Sequence, residues 1–359
     1  MRFITEASVS TYKTSTVDTH NDWNGFKGRL DTLSVILLEI MEGVHQLEVP
    51  MERNPLGKTF SYLLTDSRTL IDTGVPTDYA YRALERQLEE HGLKPQDIER
   101  VILTHLHNDH IGLAEAFQEQ GAELVASTVA AEKQTRVQEE YRNLYELTVE
   151  ETRLFGGAEY LNFLARFVYA FRDVPRPLKI DRTLKDGETL DLGGYKLKVI
   201  WTPGHAQEHI VLHDPANRLL FSGDHVLPKI TSHVALHSYE QRDPLGEYLS
   251  SLDKVKDLDV ETVLPGHEWT FHNLRERIEQ LQVHHGRRLQ EMRDALRDGE
   301  KTVYQVGSMV HWDSRPWPEM SFWTKRMAAT ETYAHLVYLR NRGEVKEEKK
   351  GDALYYRSA

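Results

Sequence analysis

None of the 359 residues is cysteine. This excludes disulfides, thiolate metal sites and thiol nucleophiles, so any bound metal must be held by histidine and carboxylate. The same absence fits a reducing interior, and a cytoplasmic location is the expectation. No run of 18 or more apolar residues occurs, so no membrane-spanning helix is expected. Positive charge is short: 44 Lys and Arg stand against 56 Asp and Glu, a formal net charge of -12. That balance gives no broad grip on a phosphate backbone, and the expected partner is a small molecule rather than nucleic acid. Residues 1–40 are mostly polar, rich in Thr and Ser and unpatterned, and lack the basic start and apolar centre of a secretory signal. They read as a disordered N-terminal extension.

Histidine is plentiful, with 18 in the chain. Four potential ligands crowd into Thr104-His105-Leu106-His107-Asn108-Asp109-His110, directly after the apolar run Val101-Ile102-Leu103. Neutral imidazoles and a carboxylate suit zinc or iron, and a strand emptying into a short loop can aim several of them at one point. His105 and His107 would face one ion, Asp109 and His110 another. A pair of ions needs further ligands, and three later strands end in candidates. Val199-Ile200-Trp201-Thr202-Pro203-Gly204 runs into His205, Leu219-Leu220-Phe221-Ser222-Gly223 into Asp224, and Thr262-Val263-Leu264-Pro265-Gly266 into His267. Each apolar run breaks at glycine, which permits the tight turn toward a shared centre. His209, His213, His225, His233 and His237 are left without a role.

This series resembles the metallo-β-lactamase superfamily, in particular its glyoxalase II-like dinuclear hydrolases, over roughly Val44 to Trp269. The resemblance implies an αββα sandwich over residues 41–270. It implies that His105, His107 and His205 hold a first metal and that Asp109, His110 and His267 hold a second. Asp224 bridges them, and Asp72 in Leu70-Ile71-Asp72-Thr73-Gly74 stands behind the metal loop as a support. The two divalent ions would be zinc, with iron or manganese as alternatives. Asp109 and Asp224 are the candidate catalytic residues: Asp224 sets the metal separation and Asp109 orients a bridging hydroxide. The reaction implied is hydrolysis of an ester, thioester or lactone of a small molecule. The alternative is a single-strand-specific nuclease with the same centre.

Two further regions stand out. Residues 130–177 form an insertion rich in helix formers and aromatics, with Leu161, Leu164, Phe167, Val168 and Phe171 at helical spacing, and they are placed to act as a lid. Residues 271–359 read as a small helical, winged-helix-like domain: a helix over Leu274 to Leu296, another over Met327 to Arg340, then strands at Val345-Lys346 and Leu354-Tyr355-Tyr356. Its basic residues, Arg287-Arg288 and Lys346, Lys349 and Lys350, are interleaved with acids and read as solvated faces. Trp312, Trp317 and Trp323 offer either internal packing or a homo-oligomer contact. In the loop His225 to Ile230, Lys229 is the candidate for binding a substrate carboxylate.

Overall fold

The computed structural model describes residues 38–52, 54–168, 174–313 and 315–359. The expected N-terminal extension lies outside them except for its last three residues, which open the first strand. Strands β1 (Leu38–Met41), β2 (Val44–Pro50), β3 (Lys58–Leu64), β4 (Thr69–Ile71), β5 (Arg100–Ile102), β6 (Glu123–Ser127) and β7 (Arg182–Leu184) form one sheet in that order. Successive hairpins make β1 to β4 antiparallel, whereas β4 to β7 are parallel and joined by helical crossovers. A second sheet holds β8 (Thr189–Leu192), β9 (Tyr195–Trp201), β10 (Ile210–Asp214), β11 (Leu219–Gly223) and β12 (Thr262–Pro265), with β12 parallel to β11 across the helix Pro244–Lys256.

Alternation along the strands divides the apolar side chains into layers. In β3, Phe60, Tyr62 and Leu64 enter the space between the sheets while Leu63 faces the other way; in β11, Leu219 and Phe221 point inward and Leu220 outward. The outer face of the seven-stranded sheet is covered by Leu84 and Leu88 of the helix Asp78–Glu90, and that of the five-stranded sheet by Tyr248 and Leu252 of Pro244–Lys256. The result is the expected αββα sandwich. Asp78–Glu90 starts where the Thr77 side chain accepts from the Ala80 amide and stops before Gly92 at φ +72°.

After the metal loop the chain forms two short helices, Asn108–Ile111 and Ala114–Glu119. Gly112 lies between them, so close to the chain at Pro76 that a side chain there would collide with backbone. The insertion is helical at Thr128–Gln134, Val137–Arg142, Leu144–Leu154 and Leu161–Arg166. The last helix is shorter than the apolar spacing suggested, and Phe171 lies outside the described residues. Phe155 packs tilted against Tyr333 with ring centroids 4.7 Å apart, and Tyr160 meets Tyr304 and Phe322. The insertion therefore rests on the C-terminal region. Buried Glu151 accepts from Arg326 (2.8 Å), His237 (2.9 Å) and the Ser238 amide (3.1 Å).

After the last strand of the sandwich come the helix Leu274–Ala295, β13 (Lys301–Thr302), the helices Val303–Gly307 and Phe322–Asn341, and β14 (Val345–Lys350) with β15 (Ala353–Ser358). β13 adds to the expected strand pair, in the order β13-β15-β14. Two residues carry no periodicity, so it left no trace in the sequence. Buried Leu281, Leu336 and Tyr356 share one apolar cluster with Val211 and Leu220 of the five-stranded sheet. Arg288 is a correction: it is not solvated but buried, with its guanidinium over the Trp312 ring at 4.1 Å. Trp312 and Trp317 pack on the same cluster, and Trp323 packs against Phe163 and Phe322. Among the described residues no helix is long and apolar enough to cross a membrane.

Candidate metal centre

Five strand ends converge on one edge of the sandwich. β4 delivers Asp72, β5 delivers Thr104 and His105, β9 runs into His205, β11 into Asp224 and β12 into His267. Hydrogen bonds between the sheets fix this edge: Ile210 N donates to Thr104 O (2.9 Å), Phe60 N to Gly266 O (2.9 Å) and the Tyr62 hydroxyl to Pro265 O (2.6 Å). Two glycines are required here by space. A Cβ on Gly204, at φ +142°, would lie 2.5 Å from the Tyr248 Cα, and one on Gly266 would lie 2.6 Å from Asp224 Oδ1. Both turns thus pass too close to their neighbours for any side chain.

All seven expected ligands meet there. His107 Nδ1 lies 3.1 Å from His105 Nε2 and 3.0 Å from His205 Nε2. Ligand atoms around a tetrahedral ion with bonds of about 2.0–2.1 Å stand roughly 3.3 Å apart, so this triad has the span of a metal site. Beside it, His267 Nε2 is 3.4 Å from Asp109 Oδ2, and Asp109, His110 and His267 form a second group. Asp224 faces both: its Oδ1 is 3.4 Å from His110 Nε2, and its Oδ2 is 3.7 Å from His205 Nε2 and 3.5 Å from His267 Nε2.

The surroundings settle which nitrogen of most rings points inward as a lone pair. His205 Nδ1 donates to His233 O (2.8 Å), His267 Nδ1 to Lys58 O (3.2 Å) and His110 Nδ1 to Asp72 Oδ2 (2.8 Å). Thr104 gives its hydroxyl proton to Asp72 (2.7 Å) and accepts from His105 Nδ1 (3.0 Å). In their neutral, metal-binding form each of these four rings spends its one N–H outward and turns the Nε2 lone pair toward the other ligand atoms. His110 Nε2 and Asp224 Oδ1 are buried with no hydrogen-bond partner. Converging lone pairs and carboxylates without donors are what a divalent cation satisfies. Asp72, at φ +58°, is a support as expected: its oxygens are taken by the Thr104 amide, the Thr104 hydroxyl and His110.

The electrostatics divide along the same lines. Burial pushes the His105 and His205 imidazoles down, the latter to about 3, and neighbouring rings add to the effect. Burial opposes charge on His110 and His267 too, but there Asp224 prevails, aided by Asp72 at His110 and Asp109 at His267. His110 rises well above its ordinary value and His267 reaches about 10. Burial likewise opposes charge on Asp224, yet His267 and His110 hold its carboxyl well below the usual range. This half of the site favours positive charge strongly.

Several residues that matter here were not assigned from the sequence. The Asp224 amide donates to His209 Nε2 (3.2 Å), whose Nδ1 meets the Thr202 hydroxyl (2.9 Å). Buried Glu208 accepts from the Leu106 amide (3.3 Å) in the metal loop and from Lys133 (2.9 Å) of the insertion. The Tyr248 hydroxyl donates to His225 O (2.9 Å), and Ser232 holds Asp224 O. A lone His, Glu or Tyr carries no spacing signal, and His209 was accordingly left without a role. His233 contributes its carbonyl to His205, while His213 pairs with Asp259 O and His237 with Glu151, outside the ligand set. Lys229 is exposed on its loop.

Comparison with known proteins agrees with this geometry. The chain is 30% identical to "Probable metallo-hydrolase YqjP" of Bacillus subtilis (strain 168), over 84% of this chain and 94% of that one. It is 25% identical to "Thioesterase pkgB" of Emericella nidulans, over 71% of this chain and 61% of that one. The crystal structure of the metallo-beta-lactamase family protein TTHA1429 from Thermus thermophilus superposes with a TM-score of 0.75 at 32% identity, over 89% of this chain and all of that one. The family model described as metallo-beta-lactamase superfamily matches residues 54–267, the span from before β3 to the last candidate ligand. With the sandwich, the strand-end ligands and this match in hand, the chain belongs to the metallo-β-lactamase superfamily and is a metallo-hydrolase by kinship.

Proposed function

We propose that the protein is a dinuclear, glyoxalase II-like hydrolase of small-molecule esters, thioesters or lactones, with zinc as the expected metal. The observation that carries this reading is Asp224, whose two oxygens face two separate ligand groups at 3.4 to 3.7 Å. His105, His107 and His205 would hold one ion and Asp109, His110 and His267 the other. Two ions so placed supply a water of lowered pKa and an electrophile for a carbonyl oxygen. The protein's own groups do the rest. Asp72, Thr104, His209 and the His233 carbonyl fix the inward faces of the ligands. Asp109, half-buried beside His267, is the carboxylate placed to orient a nucleophile and to pass a proton toward the leaving group. The thioesterase relative supports the thioester among these classes.

The test is a panel of ester, thioester, lactone and single-stranded RNA substrates, run with the wild type and Asp109→Asn. Turnover of acyl substrates that falls by about 100-fold or more in the variant is expected, the scale of a lost general acid–base group. Equal rates from both proteins overturn the assignment. RNA cleavage with steep salt dependence, and no acyl turnover, would replace it with the nuclease.

A further inference from the structure

Glu268 follows the candidate ligand His267 and has φ +74°, the left-handed region that side chains other than glycine avoid. Strain of this kind persists where the surroundings enforce it. What enforces it here is a loop from elsewhere in the chain. Glu268 Oε2 accepts from the amides of Lys229 (2.8 Å) and Ile230 (3.0 Å). The same loop gives its carbonyls to one guanidinium: Arg277 donates to Leu227 O (2.6 Å), Lys229 O (2.7 Å) and Ile230 O (2.7 Å). Arg277 belongs to the first helix of the C-terminal region, Leu274–Ala295.

The segment Leu227–Ile230 starts three residues after Asp224, and its anchor Glu268 is next to His267. It is thus tied at one end to a candidate bridging ligand and along its length to the neighbour of a second. Only its first residue is anchored by apolar burial, Leu227 being 2% exposed; the hydrogen bonds to exposed Lys229 and half-buried Ile230 are all to their backbones. A carboxylate taking two amides and a guanidinium taking three carbonyls leave the side chains of Pro228, Lys229 and Ile230, none of them fully buried, free for another purpose. Backbone polar groups fixed in this way preset a surface before anything binds, which lowers the ordering cost of binding.

We propose that Leu227–Ile230 is a locked substrate wall beside the metal centre, with Glu268 and Arg277 as the positioning residues that lock it. The C-terminal region thereby completes the substrate site. This rests on the hydrolase reading for its substrate, while the lock itself is a property of the free protein.

The experiment compares the wild type, Glu268→Gly, Glu268→Gln, Arg277→Met and the Glu268→Gly/Arg277→Met double variant in metal content, amide hydrogen exchange and steady-state kinetics on the best acyl substrate of the panel. Glycine adopts positive φ freely, so Glu268→Gly removes the carboxylate without adding strain. Glutamine keeps an acceptor oxygen. The expected result is full metal content throughout and exchange at Lys229 and Ile230 at least 10-fold faster in Glu268→Gly. KM should rise at least 5-fold with kcat within 2-fold, Arg277→Met should behave alike, Glu268→Gln should restore near-wild-type values, and the double variant should match the worse single. Unchanged exchange overturns the lock. Faster exchange with unchanged KM overturns the wall, and kcat and metal falling together would make Glu268 merely a brace for His267. A wild type inert on every acyl substrate refutes the hydrolase reading instead, and the exchange result then decides the lock alone.

Discussion

Gly266→Ala would place a methyl group among the candidate ligands. Its Cβ would lie 2.5 Å from His110 Cε1 and 2.6 Å from Asp224 Oδ1, about 1 Å inside comfortable van der Waals contact. Neither neighbour can simply retreat. His110 is pinned to Asp72 at 2.8 Å, and the Asp224 backbone is pinned to His209 at 3.2 Å. Metal–ligand distances tolerate about 0.2 Å, so a displacement several times larger removes at least one ligand. Overpacking alone costs about 1–3 kcal/mol, and a 100-fold loss of metal affinity removes about 2.7 kcal/mol more when metal is in excess. At roughly 2–4 °C per kcal/mol for a domain this large, Tm should fall by about 7–23 °C. Metal is counted by elemental analysis after dialysis, and melting is followed with and without chelator. The wild type should keep two equivalents and lose stability to chelator; the variant should keep at most one and respond less. Gly194→Ala, with nothing within 4 Å of its Cβ, is the control. A variant with full metal and wild-type melting would refute the placement of the ligands around residue 266.

Three further outcomes are expected. Burial pushes His335 down to about 4 and His285 well below its ordinary value, so the folded state holds these imidazoles neutral while the unfolded chain protonates them near 6.5. Their contribution to stability is present above pH 6.5 and is lost as pH falls toward 4; denaturant melts across that window should show it, and flat stability would refute it. Glu151→Ala takes the acceptor from partly buried Arg326 and from the Ser238 amide and should cost about 1–3 kcal/mol, the scale for leaving donors unsatisfied, with metal content retained. A Tm within 2 °C of wild type would contradict that. Gly286→Ala, in the helix Leu274–Ala295 with open space around its Cβ, should stabilise by about 1 kcal/mol; a lower Tm would show the site is not open.

Local chemistry made much of the molecule legible. Val101-Ile102-Leu103 before a cluster of ligands, and three apolar runs breaking at glycine before His205, Asp224 and His267, are patterns whose meaning survives without coordinates. The helix stop at Gly92 is of the same local kind, because a left-handed C-terminal residue has few alternatives to glycine. Where the sequence misled, a long-range contact was responsible. Gly112 interrupts a helix-compatible stretch because the chain at Pro76 crosses it, and Arg288 is buried because Trp312, 24 positions away in the sequence, covers it.

The amino-acid order alone carried the ligand cluster after β5 and the apolar runs that break at glycine, patterns encoded within a few residues of each other, and through them a resemblance that implied the sandwich, its family and the seven candidate ligands. Only the tertiary structure decided what holds those ligands in place. His209, Glu208, Tyr248, Glu268 and Arg277 act through hydrogen bonds to residues that are not their neighbours in the chain, and a lone side chain acquires such a role only when folding brings its partner within about 3 Å.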